Sequence, residues 1–119
     1  MAAIQKKNFS SADEIREYDK GHAEIIKLGD ATFMKATFEP GWKWSTSVKP
    51  KVGTERCEVH HLGYQMSGKM KVVTNDGVEA ESGPGDIIEI QPGHDAWVEG
   101  NEPVVFLDFV GGAIYAKHA

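Results

Sequence analysis

Glycine and proline clusters divide this sequence into short segments, about every eight to twelve residues. One of them, Asn75-Asp76-Gly77, is typical of a tight hairpin because its residues tolerate positive φ. Between the clusters apolar and polar residues alternate, as from Thr32 to Glu39, with the period of a half-buried strand. This spacing predicts an all-β sandwich or barrel. We expect a single domain over residues 1–119, with a lead-in segment at 1–22 and a short C-terminal tail at 111–119.

The strands of this barrel can be placed from the same alternation. The segment from Trp42 to Lys51 alternates aromatic and basic residues, and we interpret it as a strand with Trp42 and Trp44 buried and Lys43 in water. The other predicted strands cover residues 23–28, 32–39, 54–67 (broken near Gly63), 69–74, 78–81, 87–90, 96–99 and 104–110.

Composition narrows the classes of partner. The 119 residues include 18 acidic and 13 basic side chains, so the net charge is −5. Binding to a nucleic-acid backbone needs a basic face, and we therefore expect no nucleic-acid partner. No apolar run approaches the roughly 20 residues that cross a bilayer, so we expect no membrane partner. A single cysteine, Cys57, cannot form an internal disulfide, and no apolar stretch follows Met1 to Lys7, so we predict a cytoplasmic protein.

From Gly53 to Phe109 the order of signals resembles the small single-domain bacterial cupins, which are double-stranded β-helix barrels related to jelly rolls. The run Tyr64-Gln-Met-Ser-Gly68 resembles the end of the first cupin motif. The run from Gly85 to Gly93 resembles the second motif, with its Gly-Asp, apolar strand and Pro-Gly. The resemblance implies a cupin fold, a pocket for a small molecule and a homodimer.

In most cupins three histidines and a glutamate bind one divalent metal, but the corresponding positions differ in this chain. The positions of the paired histidines hold Glu55 and Cys57, that of the glutamate holds His61, and that of the last histidine holds Ala96. Ligand-type residues are nevertheless present. Glu55, Cys57 and His61 share one face of an unbroken strand, and His94 lies two residues before Ala96.

We therefore predict an altered metal site made of Glu55, Cys57, His61 and His94. This donor set suits zinc best, with iron or nickel as alternatives. Each residue also has a plainer interpretation. Cys57 would be a small buried hydrophobe, Glu55 a solvated loop residue, His61 a core histidine and His94 an exposed turn residue.

A pocket would accompany this site. Trp42, Trp44 and Trp97 are candidates for its mouth, and Gln65 continues the face of His61 toward the interior. The alternative for the tryptophans is ordinary core packing or a dimer contact.

Three functions fit these residues. The first is a metal-dependent enzyme acting on a small organic molecule, and the second is a non-catalytic cupin that binds a small ligand. The third is a structural barrel that forms a homodimer. A thiol nucleophile at Cys57 activated by His61 is less favoured, because residues four apart on an extended strand lie about 13 Å apart. The sequence does not decide whether the protein is an enzyme.

Overall fold

The computed structural model describes residues 3–116, so the outermost residues of the predicted lead-in and tail lie outside the described part of the chain. Its strands are β1 (Glu14–Tyr18), β2 (Gly21–Leu28), β3 (Ala31–Phe38), β4 (His61–Ser67), β5 (Lys69–Thr74), β6 (Glu79–Ser82), β7 (Ile87–Ile90), β8 (His94–Glu99) and β9 (Val104–Asp108). The helices are α1 (Trp44–Ser47) and α2 (Lys49–Val52), with single 3₁₀ turns at Phe9–Ser11 and Gly111–Ala113. Within residues 3–116, no helix has the length and apolar character needed to cross a membrane.

Two antiparallel sheets make up the barrel. The larger has the strand order β1-β2-β3-β9-β4-β7, and the smaller has the order β6-β5-β8. Every second residue of a strand is buried, as in Met34, Ala36 and Phe38 of β3, and these side chains join residues of the small sheet such as Met70 and Val72 in one core. The predicted all-β double-stranded β-helix is confirmed.

The predicted turns coincide with the observed ones. Gly29 and Gly77 both have positive φ, at 59° and 88°. Gly29 lies in the turn between β2 and β3, and Gly77 lies in the turn between β5 and β6. The amide of Gly77 donates to the carbonyl of Thr74 at 3.0 Å. Glycine supplies this backbone conformation without a steric penalty, which is why these signals can be read locally.

Two predicted strands are not formed as expected. The segment from Trp42 to Lys51 contains α1 and α2, with Pro50 in the first turn of α2. Proline fits there because that position needs no amide donor. Trp42 and Trp44 are nevertheless buried, as predicted. Of the predicted strand over 54–67, only β4 forms, and the residues before it contribute one isolated bridge between Cys57 and His94.

The segment after β9 is packed against the barrel. In this C-terminal segment (residues 111–116), Gly111, Gly112, Tyr115 and Ala116 are buried. The guanidinium of Arg16, itself 4% exposed, donates to the carbonyls of Gly112 and Tyr115, both at 2.7 Å. Buried carbonyls need such donors. The interaction therefore fixes the C-terminal segment to β1 and brings Tyr115 into the interior.

Candidate metal centre

Three buried side chains of ligand type meet inside the barrel. Cys57, His61 and His94 are 2%, 7% and 3% exposed, and one ligand atom from each lies within 4.8 Å of the other two. The Sγ atom of Cys57 is 3.5 Å from Nε2 of His61. The structure thus brings together three of the four residues predicted as metal ligands.

Cys57 lies outside β4, and this position explains how Cys57 and His61 can approach each other. Cys57 does not continue β4 but pairs with the start of β8, where its amide donates to the carbonyl of His94 at 2.9 Å. The amide of Gly93 donates in turn to the carbonyl of Cys57 at 2.7 Å. Because residues 58–60 belong to no strand, the distance of about 13 Å expected along one straight strand does not apply to Cys57 and His61.

His61 is oriented by a buried carboxylate that the sequence interpretation missed. Its Nδ1 lies 2.5 Å from Oδ2 of Asp108, which is fully buried on β9. The amides of Val110 and Gly111 donate to Oδ1 of Asp108 at 3.0 and 2.7 Å. Burial raises the pKa of Asp108, but the interaction with His61 and these two amides outweigh it, so the pKa lies below its usual value. The ionised carboxylate accepts the Nδ1 proton, which leaves Nε2 of His61 with a free lone pair.

His94 is held in the same tautomer by the backbone. Its Nδ1 donates to the carbonyl of Gln91 at 2.7 Å, so Nε2 is again the unprotonated nitrogen. Burial lowers the pKa of His94 to about 4, although the bond to Gln91 opposes the shift; His61 lowers the pKa further and Asp95 raises it. Burial likewise raises the pKa of the Cys57 thiol to about 12. Without a metal, the site therefore holds a neutral thiol and a neutral His94 imidazole.

This burial predicts a pH dependence of stability. The pKa of His94 is about 4 in the folded protein and 6.5 ordinarily. Between pH 4 and 6.5 the His94 side chain is therefore protonated in the unfolded chain but mostly neutral in the folded protein. The metal-free protein is expected to have this stability in full above pH 6.5 and to lose about 3 kcal/mol as the pH falls to 4. Urea denaturation across this window in the presence of a chelator measures the loss. His94→Gln should flatten the pH dependence, whereas the exposed His60→Gln should leave it intact; an equal slope in all three proteins would contradict the prediction.

Glu55, the fourth predicted ligand, is not brought into this group. Its side chain is 86% exposed and pairs with Nζ of Lys49 at 2.8 Å. The hydrogen bond and charge of Lys49 lower the pKa of Glu55. The prediction assumed one continuous strand through residue 55, and the bend before Cys57 removes the basis for that assumption.

A small cavity adjoins the three ligand-type residues. It has a volume of about 30 Å³, and Trp42, Trp44 and Tyr115 are among the residues that line it together with Cys57, His61 and His94. Two of the three predicted pocket tryptophans are therefore at the site. Tyr115 was not predicted, because only the docking of the C-terminal segment places it there. Asp108 could have been found, since Val104, Phe106 and Asp108 alternate inward on β9.

The other two predicted pocket residues lie elsewhere. Gln65 is fully buried, and its amide nitrogen donates to the carbonyls of Gly68 at 2.8 Å and Ser82 at 3.2 Å. It thus connects the end of β4 to the end of β6 and does not line the cavity. Trp97 is partly exposed on β8, with Nζ of Lys43 5.2 Å from its ring centroid. Neither Gln65 nor Trp97 therefore lines the cavity, although both were predicted to do so.

Comparisons with solved protein structures support the fold described above. No model of a known protein family matches the chain, and no curated protein matches it. Among solved structures, a cupin-2 domain from Rhodospirillum rubrum has 15% sequence identity and a TM-score of 0.57, over 91% of this chain and 67% of that chain. Oxalate decarboxylase from Lactobacillus farciminis has 14% identity and a TM-score of 0.64, over 96% of this chain and 35% of that chain.

A second oxalate decarboxylase, from Bacillus subtilis, is described with Mn(II) centres. It has 24% identity and a TM-score of 0.54, over 83% of this chain and 28% of that chain. This chain spans about a third of either decarboxylase. At these identities the likeness concerns the arrangement of the strands, and the chemistry has to be argued from the side chains.

Proposed function

We propose that this small cupin-fold domain binds one divalent metal ion through Sγ of Cys57 and Nε2 of His61 and His94. The observation that carries the proposal is the orientation of both imidazoles. Each uses Nδ1 as a donor, to Asp108 and to the Gln91 carbonyl, and each turns its unprotonated nitrogen away from that partner. Metal-binding histidines are held in this way by a carboxylate or a backbone carbonyl.

The chemistry of the donors favours zinc, and the separation of one pair of donor atoms is compatible with it. Zinc–sulfur and zinc–nitrogen bonds of about 2.3 and 2.0–2.1 Å at a tetrahedral angle separate the two ligand atoms by about 3.5 Å. The separation of Sγ of Cys57 from Nε2 of His61 is 3.5 Å. A thiolate with two imidazoles suits zinc, and iron or nickel less well. Because the thiol pKa is about 12 without metal, binding would release its proton and would weaken as the pH falls.

Three protein ligands leave one position of a four-coordinate ion open. A bound zinc ion would supply Lewis acidity there and would lower the pKa of a water molecule at that position. The chain's own residues do the rest. Asp108 fixes the orientation of His61, and the apolar walls formed by Met34, Trp42 and Phe106 limit the access of water.

A thiol nucleophile is the second candidate, since Cys57, His61 and Asp108 also follow each other in the order nucleophile, base and orienting acid. The distances of 3.5 and 2.5 Å are compatible with it. However, burial raises the pKa of Cys57 to about 12, whereas reactive cysteines have a lowered pKa. Metal binding, which would itself stabilise the thiolate, is therefore better supported. The proposed homodimer and the cytoplasmic location stay predictions.

Elemental analysis of untagged protein prepared without chelator tests the proposal. We expect about one equivalent of zinc in the wild type and a loss of most of it in Cys57→Ser and in His61→Ala, because each change removes one of three ligands. Two matched controls should keep the metal. Glu55→Gln alters an exposed residue two positions from Cys57, and His60→Gln alters the exposed histidine beside His61.

The metal content of the wild-type protein decides whether the metal-centre proposal stands. If the wild type holds no metal after separate incubation with zinc, iron(II), nickel and manganese, the metal-centre proposal is wrong. The remaining functions would then be a barrel that binds a ligand without metal and a barrel that forms a structural dimer. If Glu55→Gln loses metal as completely as Cys57→Ser, the ligand assignment is wrong. Circular dichroism of each variant establishes that it has folded.

A further inference from the structure

Two buried polar atoms beside the proposed metal centre have no hydrogen-bond partner within residues 3–116. They are Nε1 of Trp42 and the hydroxyl of Tyr115, both on residues that are 2% exposed. Buried polar groups in native proteins are almost always paired, and each exception calls for an explanation. Both residues line the same cavity as Cys57, His61 and His94.

The cavity is too small for a typical organic substrate. A volume of about 30 Å³ is room for about two water molecules, each of which needs roughly 10–15 Å³ by this measure. Its remaining lining is mostly apolar, with side chains such as Met34, Ile90 and Phe106. The two unpartnered donors belong to residues of this lining.

We infer that the open position of the metal is reserved for a small hydrogen-bond acceptor of two or three non-hydrogen atoms, which Trp42 Nε1 and the Tyr115 hydroxyl bind by donating to it. The inference rests on the proposed metal site. Tryptophan can only donate, so the ligand has to accept. A divalent ion with one thiolate keeps a positive charge, and Asp108 is already engaged by His61 and two amides, so small anions suit this position.

A second cavity lies on the other side of part of this lining. It has a volume of about 140 Å³, is lined by Val52, Thr54 and Ile114 among others, and shares Trp44, Cys57 and Tyr115 with the inner cavity. Ile114 at this second cavity is 59% exposed, which places the cavity next to solvent. Tyr115 therefore contributes to the wall between the two spaces.

Azide binding to the cobalt(II)-loaded protein tests the inference. Azide has three atoms and accepts hydrogen bonds, and a change in the visible cobalt spectrum reports its entry into the metal's coordination sphere. We expect Trp42→Phe and Tyr115→Phe each to weaken azide binding by about tenfold or more, because each loses one hydrogen bond to a charged ligand. Oxalate, with six non-hydrogen atoms, should leave the wild-type spectrum unchanged.

Two variants with the same chemical changes serve as controls. Tyr18→Phe removes a buried hydroxyl that already donates to the carbonyls of His22 and Thr37, at 2.9 and 3.3 Å. Trp97→Phe removes an indole outside the cavity. Both should bind azide as the wild type does.

The outcomes separate this inference from the proposed function. If cobalt binds but Trp42→Phe and Tyr115→Phe take up azide with wild-type affinity, or if oxalate binds as well as azide, the inference is overturned and the metal site stands. If the thiolate-to-cobalt absorption band of the wild type does not form, the metal site fails, and the inference fails with it.

Discussion

Gly63→Ala is expected to destabilise the barrel strongly. Gly63 is in β4, between β7 and β9, and its backbone has no unusual φ. A Cβ added there would lie 1.9 Å from the carbonyl oxygen of Leu107 and 2.7 Å from the ring of Phe106. The oxygen belongs to the backbone of β9, which is hydrogen-bonded on its other side to β3 and cannot move alone. We expect a loss of about 4 kcal/mol or more, comparable with the whole stability of many domains of this size.

Gly83→Ala is the matched control for this prediction. Gly83 also has an ordinary φ, and its added Cβ would meet only the carbonyl oxygen of Gly68, at 4.0 Å. Its effect on stability should stay within about 1 kcal/mol. Urea denaturation of the two variants measures the difference, and similar midpoints for both would show that β4 and β9 can separate enough to admit a methyl group.

Asp108→Asn is expected to lower zinc affinity by about 10–100-fold, although Asp108 does not touch the ion's position. The asparagine side chain keeps one acceptor oxygen and has an NH₂ donor group in place of the other oxygen. If the acceptor stays with the amides of Val110 and Gly111, the donor faces Nδ1 of His61. Nδ1 must then accept, and the imidazole proton moves to Nε2, where it blocks metal binding.

Zinc affinity and the nitrogen chemical shifts of His61 test this prediction together. Glu89→Gln is the control, because Glu89 makes the same kind of contact with Nε2 of the exposed His60, at 2.9 Å. It should change neither quantity. Unchanged affinity in Asp108→Asn together with an unchanged tautomer of His61 would contradict the orienting role of Asp108.

Most of the fold was predictable because its signals are local. The period of two marks strands such as β3 and β9, and turns such as Asn75-Asp76-Gly77 combine flexible backbone with polar side chains. The segment from Trp42 to Lys51 was not predictable in this way. Its two helices have one turn each, too short for a helical period to show, and the amide of Ser45 bonds to Asp95, a distant residue.

The candidate site was predictable to the extent that residue type and strand face define it. Cys57, His61 and His94 converge as the sequence suggested, but the contact between Cys57 and His61 depends on the start of β4 at His61, which alternation does not reveal. Glu55 was misplaced for that reason. Tyr115 depends on the bonds from Arg16 to the C-terminal segment, between residues about a hundred positions apart, and nothing in the local pattern predicts such a pair.

The position of β9 also has a consequence for the order of folding. Within residues 3–116 this strand is the last, yet it lies between β3 and β4, so the large sheet cannot close until β9 inserts. Loop closure over such distances is slow compared with hairpin formation. Asp108 reaches His61 only with this insertion. If the proposed metal ion needs the oriented imidazole, it would join a nearly complete barrel, and it would stabilise the barrel by slowing unfolding more than by nucleating folding.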